Sequence, residues 1–288
     1  MARRRRPLTP AKVAVRTFQY ATLVLASFLV LAPLYSVLVG SLKTPLEYIN
    51  TSKMTPPANW LNFENFTAVL FPNTGLPLGS AFVNSAIVIV CSVALLIVFG
   101  AMLAFVLARF RFPGRMLILG TYAALVAVPA ILTPISTFQV LSFLGLANSR
   151  WALVVLYSGA DIVSILIFIQ FMRGISTEVD DSARIEGANY FQIFGRLILP
   201  MLAPAIATVA ILRTVGIYND FVLPFLYASR PEENTVSMML FNFAGIQSTV
   251  SQAVVMAAVV LVILPTLIGF FFLQKYIYAG ITNGSVKG

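Results

Sequence analysis

Residues 175–204 read ISTEVDDSARIEGANYFQIFGRLILPMLAP, the one polar, helix-patterned island between two apolar runs long enough to cross a membrane. Thr177 followed three residues later by Asp180 is a capping-box signal, which predicts a short helix from Glu178 that Gly187 stops. Asn189 with Gln192 repeats the start signal. The second helix is predicted from Tyr190 to Pro200, with Phe191, Phe194 and Ile198 on one face and Ile193 and Leu197 beside them. The product is a helix–glycine–helix elbow. Its first arm is acidic (Glu178, Asp180, Asp181, Glu186) with small residues Ser182 and Ala183, a composition suited to close docking against another protein. Its second arm is amphipathic enough to lie at a membrane face.

The surroundings make this a membrane protein. A chain of 288 residues that is 59% hydrophobic and 10% charged, with mean hydropathy +0.91, is no ordinary soluble domain. One cysteine, Cys91, rules out an internal disulfide, and the absence of histidine excludes imidazole catalysis and the usual zinc sites. No metal cluster is expected, and no cofactor is assigned to this chain. The formal charge of +9 suggests nucleic acid until the positions of the cations are traced, when it reads as membrane orientation.

The expected fold is all-α, polytopic, with six transmembrane helices. A basic N-terminus (1–17) precedes an uncleaved first span (18–39) and an extracytoplasmic loop (40–81). A five-span core (82–275) follows, with the cytoplasmic coupling loop at 173–200, and then a cytoplasmic tail (276–288). The third span, about 116–138, carries Pro129 and Pro134 and is expected to be kinked, which a membrane bundle tolerates. An interfacial helix is expected around Met238 to Phe243. Under this layout fourteen Lys and Arg lie inside, four (Lys43, Lys53, Arg150, Arg230) lie outside, and Arg213 remains within the membrane. An odd number of spans would spoil that bias. Trp60 and Trp151 fall where interface anchors belong.

At this point the elbow resembles the EAA loop of bacterial ATP-binding-cassette importer permeases. Asp181-Ser182-Ala183, Gly187 and Leu197-Ile198-Leu199-Pro200 keep the spacing of Glu-Ala-Ala, three residues, Gly, nine residues, an aliphatic, any residue and Leu-Pro. Glu186-Gly187-Ala188 is similar to the family's Asp-Gly-Ala. Asn84-Ser85, the run from Ala108 to Arg115, Tyr218-Asn219-Asp220-Phe221 with Pro224, and the tail from Gly280 to Val286-Lys287-Gly288 resemble the maltose-type carbohydrate permeases. Asp181, Ser182 and Glu186 replace Glu, Ala and Asp, Ser176 stands where Pro is usual, and Tyr218 where Trp is usual.

The resemblance implies a bacterial inner-membrane location and a defined set of partners. These are a second related permease, an ATP-binding-cassette ATPase dimer, an extracytoplasmic solute-binding protein, a carbohydrate substrate and membrane lipid, with no nucleic acid. It implies that Asp181, Ser182, Ala183, Glu186, Gly187, Ala188, Leu199 and Pro200 form the ATPase-coupling set. No G-x-x-x-x-G-K-[ST] run occurs, so ATP and magnesium belong to the partner ATPase and the chain itself is not an enzyme. The competing reading rests the elbow on lipid headgroups, where an acidic arm is repelled by anionic lipid. The resemblance also implies that Val286, Lys287 and Gly288 reach the ATPase pair, against the alternative of a frayed end.

Ionisable groups at membrane depth are functional candidates. Asp161 lies roughly 15 Å from the outer end of span four and Arg213 roughly 18 Å from the inner end of span five, which predicts an ion pair across the bundle. Either helix locking or transport fits such a pair. Tyr218, Asn219, Asp220 and Phe221 form a candidate substrate path: the carboxylate and amide suit sugar hydroxyls and the aromatics suit a sugar ring. The alternative is that Asn219 and Asp220 cap a broken helix. Asp161, Arg213 and Asp220 also fit an ion-gradient-driven secondary transporter. An intramembrane enzyme does not fit, because there is no Gly-x-Ser-x-Gly turn and no histidine base.

Overall fold

The computed structural model describes residues 10–72, 77–126, 133–159, 161–245 and 250–285, with side chains described within 15–272. Every regular element among them is helical. The chain divides into two compact units, residues Met1–Asn73 with Ile246–Leu261, and Thr74–Gly245 with Val262–Gly288.

In the first unit, helix α1 (Pro10–Ser41) runs two residues past the predicted end of the first span. It stops because Asn65 Nδ2 donates to the carbonyls of Ser41 (2.8 Å) and Lys43 (2.7 Å), serving acceptors that a helix end leaves open. The predicted outer loop is partly helical. In α2 (Pro45–Asn50) a full capping box joins Thr44 and Glu47 and Pro45 opens the helix, while α3 (Glu64–Leu70) brings Asn65 under the end of α1. Lys43 is completely buried, and its Nζ donates to Thr51 Oγ1 (2.9 Å) and the Ser52 carbonyl (2.7 Å). At Gly40 a Cβ would lie 2.9 Å from the Tyr48 ring and 3.1 Å from Met256, so glycine permits that approach.

The second unit is organised on α4 (Leu78–Arg109), whose buried face carries Ala81, Ser85, Ser92, Ala101 and Ala104. Small residues let neighbouring backbones come close, which is how helices associate where lipid offers no hydrophobic drive. After α5 (Arg115–Val126) and α6 (Pro134–Phe143), α7 (Arg150–Ser158) and α8 (Ile162–Arg173) pack along α4. The elbow holds α9 (Glu178–Ile185), α10 (Tyr190–Gln192), a π-helical turn (Ile193–Ile198) and α11 (Leu199–Met201). Then come α12 (Ala203–Asn219), α13 (Val222–Tyr227), a 3₁₀ turn (Pro231–Glu233) and α14 (Val236–Ala244). Last is α15 (Gln252–Ser285). The helix expected at the interface near Met238 instead buries Val236, Met238 and Met239 and packs on α4.

Two apolar clusters fill this unit. One gathers Leu96, Phe105, Phe168, Ile193, Phe194 and Ile198 at the elbow end; the other gathers Val88, Leu153, Tyr157, Ile217 and Tyr227 around α7.

Among the described residues three helices are long and apolar enough to cross a membrane: Val15–Ser41, Leu78–Arg109 and Gln252–Phe272. Two bent pairs, α7 with α8 (45°) and Tyr190–Met201 with α12 (73°), raise the number to as many as five. The third of the six expected spans crosses residues 127–132, outside the described residues, and Pro129 lies there. Pro134 opens α6, the first-turn position where its missing N–H costs nothing.

Candidate functional site

The elbow forms through local chemistry. The expected Thr177 cap does not close: Thr177 has helical backbone (φ −68°, ψ −19°) and no side-chain cap bond. Ser176, one residue earlier, accepts from the Glu178 N–H through its hydroxyl at 3.2 Å and takes over that task. At the other end Gly187 adopts φ +86°, with its N–H donating to the Arg184 carbonyl (3.0 Å) and Ala188 N–H to the Ala183 carbonyl (2.9 Å). This paired pattern is a Schellman stop, and it needs a residue tolerant of the left-handed region. Asn189 and Gln192 then form the complete capping box that opens the second arm.

Between Ile193 and Ile198 the second arm is a π turn. A regular helix would align Phe191, Phe194 and Ile198, whereas here Ile193, Phe194 and Ile198 are buried and Phe191 is 77% exposed. The wider turn sets residues five apart on one face, which accounts for the difference. Phe194 packs on Phe105 (ring centroids 5.5 Å apart) and Tyr190 meets Phe110 edge-on at 5.0 Å.

The elbow is fastened to α4 by an ion pair absent from the sequence reading, Arg109 Nε to Asp180 Oδ2 at 2.8 Å, and Arg109 also donates to the Ile175 carbonyl (3.0 Å). The side chains are only 9% and 15% exposed. Burial raises the Asp180 carboxyl above its ordinary 3.8; Arg109 opposes the rise and the Asp181 charge adds to it. A cation at the end of the second span facing an acidic loop is the sequence signal for this pair.

Of the expected coupling set, Asp181, Ser182, Glu186, Gly187 and Pro200 are exposed, while Ala188 and Leu199 are half-buried. Ala183 is buried within its own chain's core, so it supports the rim and does not present itself to a partner. Sequence reasoning passed over Ile185, 88% exposed, which with Phe191 gives the acidic rim an apolar component.

Deeper in the second unit, α7 ends at Ser158 and α8 begins at Ile162, and α12 gives way to α13 at Asp220. Asp161 caps α8, accepting from Ser164 N–H (3.0 Å) and Ser164 hydroxyl (2.6 Å), and lies 3.4 Å from Arg213. Arg213 also donates to the Tyr157 carbonyl at 3.3 Å. The Tyr157 hydroxyl donates to Asp220 Oδ2 (2.8 Å), while Asp220 Oδ1 accepts from the Val222 N–H (2.8 Å). Asp220 therefore holds the helix break. Tyr218 and Asn219 line a largely apolar cavity of about 490 Å³ with Ser85, Thr214, Thr266 and Phe270, and no charged side chain is among its lining residues. Tyr218 donates to the Val262 carbonyl (2.8 Å) and Asn219 to the Val215 carbonyl (2.8 Å). Phe221 is elsewhere, stacked on Phe241 at 4.5 Å.

A further cluster lies at the start of α7. Arg150 pairs with Glu233 (2.8 Å) and donates to Asn84 Oδ1 (2.9 Å), and Asn84 donates to the carbonyls of Glu232 (2.7 Å) and Asn234 (3.0 Å). Val286, Lys287 and Gly288 lie outside the described residues. No group of three or more acidic or cysteine ligands suited to a metal occurs among the described residues.

A family model, the binding-protein-dependent transport system inner membrane component, matches residues 96–283, which takes in the elbow, both helix breaks and most of α15. The chain belongs to this family. This inner membrane component is a multi-pass transport subunit of the bacterial inner membrane and not an enzyme. It is 31% identical over 93% of its length to the diacetylchitobiose uptake system permease protein NgcG of Streptomyces coelicolor, of which it covers 88%. It is 30% identical over 92% of its length to the probable starch degradation products transport system permease protein AmyC of Thermoanaerobacterium thermosulfurigenes, covering 94% of it. The melibiose/raffinose/stachyose import permease protein MelC of Bacillus subtilis is 29% identical over 89% of this inner membrane component, with 91% of the relative covered. Its fold is shared with a bacterial ABC transporter involved in the import of the acidic polysaccharide alginate, at TM-score 0.78 and 21% identity, over 94% of this chain and 99% of that one.

Proposed function

We propose that this inner membrane component is one half of the membrane path of an ATP-driven carbohydrate importer, coupled to a separate ATPase by the elbow. It crosses the membrane six times with both termini inside. The observation that carries the reading is the elbow's rim, where Asp181, Glu186, Ile185 and Phe191 stand exposed on a scaffold locked by Gly187, the Asn189–Gln192 box and Arg109–Asp180. A rigid handle with an apolar and acidic rim is suited to transmit a push into α8 and α12, the helices on either side of it.

The carbohydrate assignment is supported by the sugars named in NgcG, AmyC and MelC. The cargo of this reading is a neutral mono- or oligosaccharide. The partners are a second related permease, an ATPase dimer that uses ATP and magnesium, and an extracytoplasmic solute-binding protein that delivers the sugar. Val286, Lys287 and Gly288 reach the ATPase pair. Closure of the ATPases brings the elbows together and turns the path outward; hydrolysis returns it inward.

Cysteine cross-linking tests the reading. In a Cys91→Ser background, Asp181→Cys is expected to cross-link to the ATPase in the assembled complex, and sugar uptake into vesicles is expected to require ATP inside and binding protein outside. Uptake driven by an ion gradient without ATP would reject it in favour of a secondary carrier.

A further inference from the structure

Two helices of the second unit are interrupted at depth, and their interruptions are bonded to one another. Arg213 spans the first break: one guanidinium nitrogen faces Asp161, the cap of α8, at 3.4 Å, and another donates to the carbonyl of Tyr157 in the last turn of α7, at 3.3 Å. A cation suits both positions, since it neutralises the capping carboxylate and serves a carbonyl at a helix C-terminus. The hydroxyl of Tyr157 continues the chain of bonds to Asp220 at the second break, 2.8 Å away. From there the Asp220 carbonyl accepts from the Ser237 hydroxyl on α14, at 2.5 Å.

The order of these bonds along the helices matters. α8 leads into the elbow and α12 leads out of it, so the Asp161–Arg213 pair joins the two helices that carry an elbow displacement. Tyr157, Val222–Tyr227 and Ser237 belong to segments beyond the breaks, α7, α13 and α14. A push from the elbow reaches those segments through the Tyr157 hydroxyl and the two faces of Asp220. Tyr157 is buried, 6% exposed, so water offers its hydroxyl little substitute for Asp220.

We infer that Tyr157, held by Arg213, is a positioning residue for transport, and that its hydrogen bond to Asp220 is a latch between the two helix breaks that must release before the path opens outward. The latch rests on the reading of the chain as an ATPase-coupled permease and adds to it the place where the stroke is resisted. Neither residue needs to touch the sugar. Loss of the latch lowers resistance to the outward turn without removing the elbow or the path, so the complex hydrolyses ATP before the binding protein signals that sugar has arrived.

The test uses the whole complex in lipid nanodiscs and measures ATP hydrolysis with and without sugar-loaded binding protein. Tyr157→Phe removes one oxygen from a buried ring. Hydrolysis without binding protein is expected to rise about ten-fold or more, the size of one hydrogen bond to a charged group. The stimulated rate is expected to change little, so the stimulation ratio falls. Arg213→Ala is expected to lower the ratio as well, because it takes away the donor that holds the Tyr157 carbonyl and leaves Asp161 without its cation.

A merely structural role would lower the melting temperature of Tyr157→Phe and leave the ratio unchanged, and that result would overturn the latch. Should Tyr157→Phe fail to assemble, Ser237→Ala, which loosens Asp220 from α14, is measured in its place; an unchanged ratio there overturns the latch equally. A wild-type complex whose hydrolysis ignores binding protein would instead strike at the permease reading itself, so the two failures are distinct.

Discussion

Gly187 offers a quantitative handle on the elbow. Its φ of +86° lies in the left-handed region, while a Cβ placed there would meet nothing within 4 Å. Replacement by alanine therefore carries backbone strain and no clash, on the order of 1–2 kcal/mol. That strain is relieved by giving up the Schellman bonds, Ala188 N–H to the Ala183 carbonyl (2.9 Å) and Gly187 N–H to the Arg184 carbonyl (3.0 Å), which hold the two arms at their angle. A loss of that size shifts the balance between the set elbow and alternative geometries by roughly five- to thirty-fold. Titrating the ATPase onto permease in nanodiscs is expected to show the same loss of affinity for Gly187→Ala. Gly187→Asn is expected to lose less, since asparagine tolerates this region, and Gly187→Val more, since a β-branched residue does not. The melting of the membrane core is expected to stay near wild type. If alanine and valine both titrate like glycine, the stop at Gly187 does not set the elbow's geometry and the reasoning fails.

Removing the cation in Arg109→Ala leaves the buried Asp180 carboxylate unpaired and is expected to cost about 3 kcal/mol in a denaturation series, with the double change Arg109→Ala, Asp180→Asn milder than Arg109→Ala alone. Because burial holds the Asp180 carboxyl above 3.8, the folded elbow binds that proton more tightly than the unfolded chain does. Its contribution is fully present at pH below the unfolded value and is lost as pH rises through the folded one, so Asp180→Asn is expected to flatten the decline in melting temperature as pH rises above about 4. Arg150→Lys is expected to cost about 1–2 kcal/mol, because a single ammonium cannot reproduce the fork that reaches Glu233 and Asn84 together; a melting curve equal to wild type would contradict this.

Much of the elbow was legible because its signals are local. Gly187 and the Asn189–Gln192 pair act within four residues of themselves, and composition alone separates the acidic arm from the apolar spans. Depth counted at helical rise was enough to bring Asp161 opposite Arg213, since Arg213 lies within α12 and Asp161 caps α8 just beyond the end of α7. Failures came where neighbouring groups compete or geometry departs from 3.6 residues per turn. Ser176 took the Glu178 N–H while the expected Thr177 cap on Asp180 did not form, and the π turn moved Phe191 to the surface. Tyr157 could not be matched with Asp220 from the sequence, because each lies beside a break whose angle only the folded chain defines. Arg109 and Asp180 are separated by four helices in sequence, so only their shared side of the membrane, a cation ending one span and an acidic loop after another, hints that they meet.

The surplus residue in the π turn between Ile193 and Ile198 acts as a clocking device. Each residue in a regular helix advances the chain by about 100° around the axis, so removing one from this turn would rotate everything before it by roughly that angle relative to Pro200. Asp181 and Ile185 would then face a different compass direction even with every cap intact. The interval from Gly187 to Leu197 thus works as a phase setting, aiming the first arm while the helix behind it stays where it is.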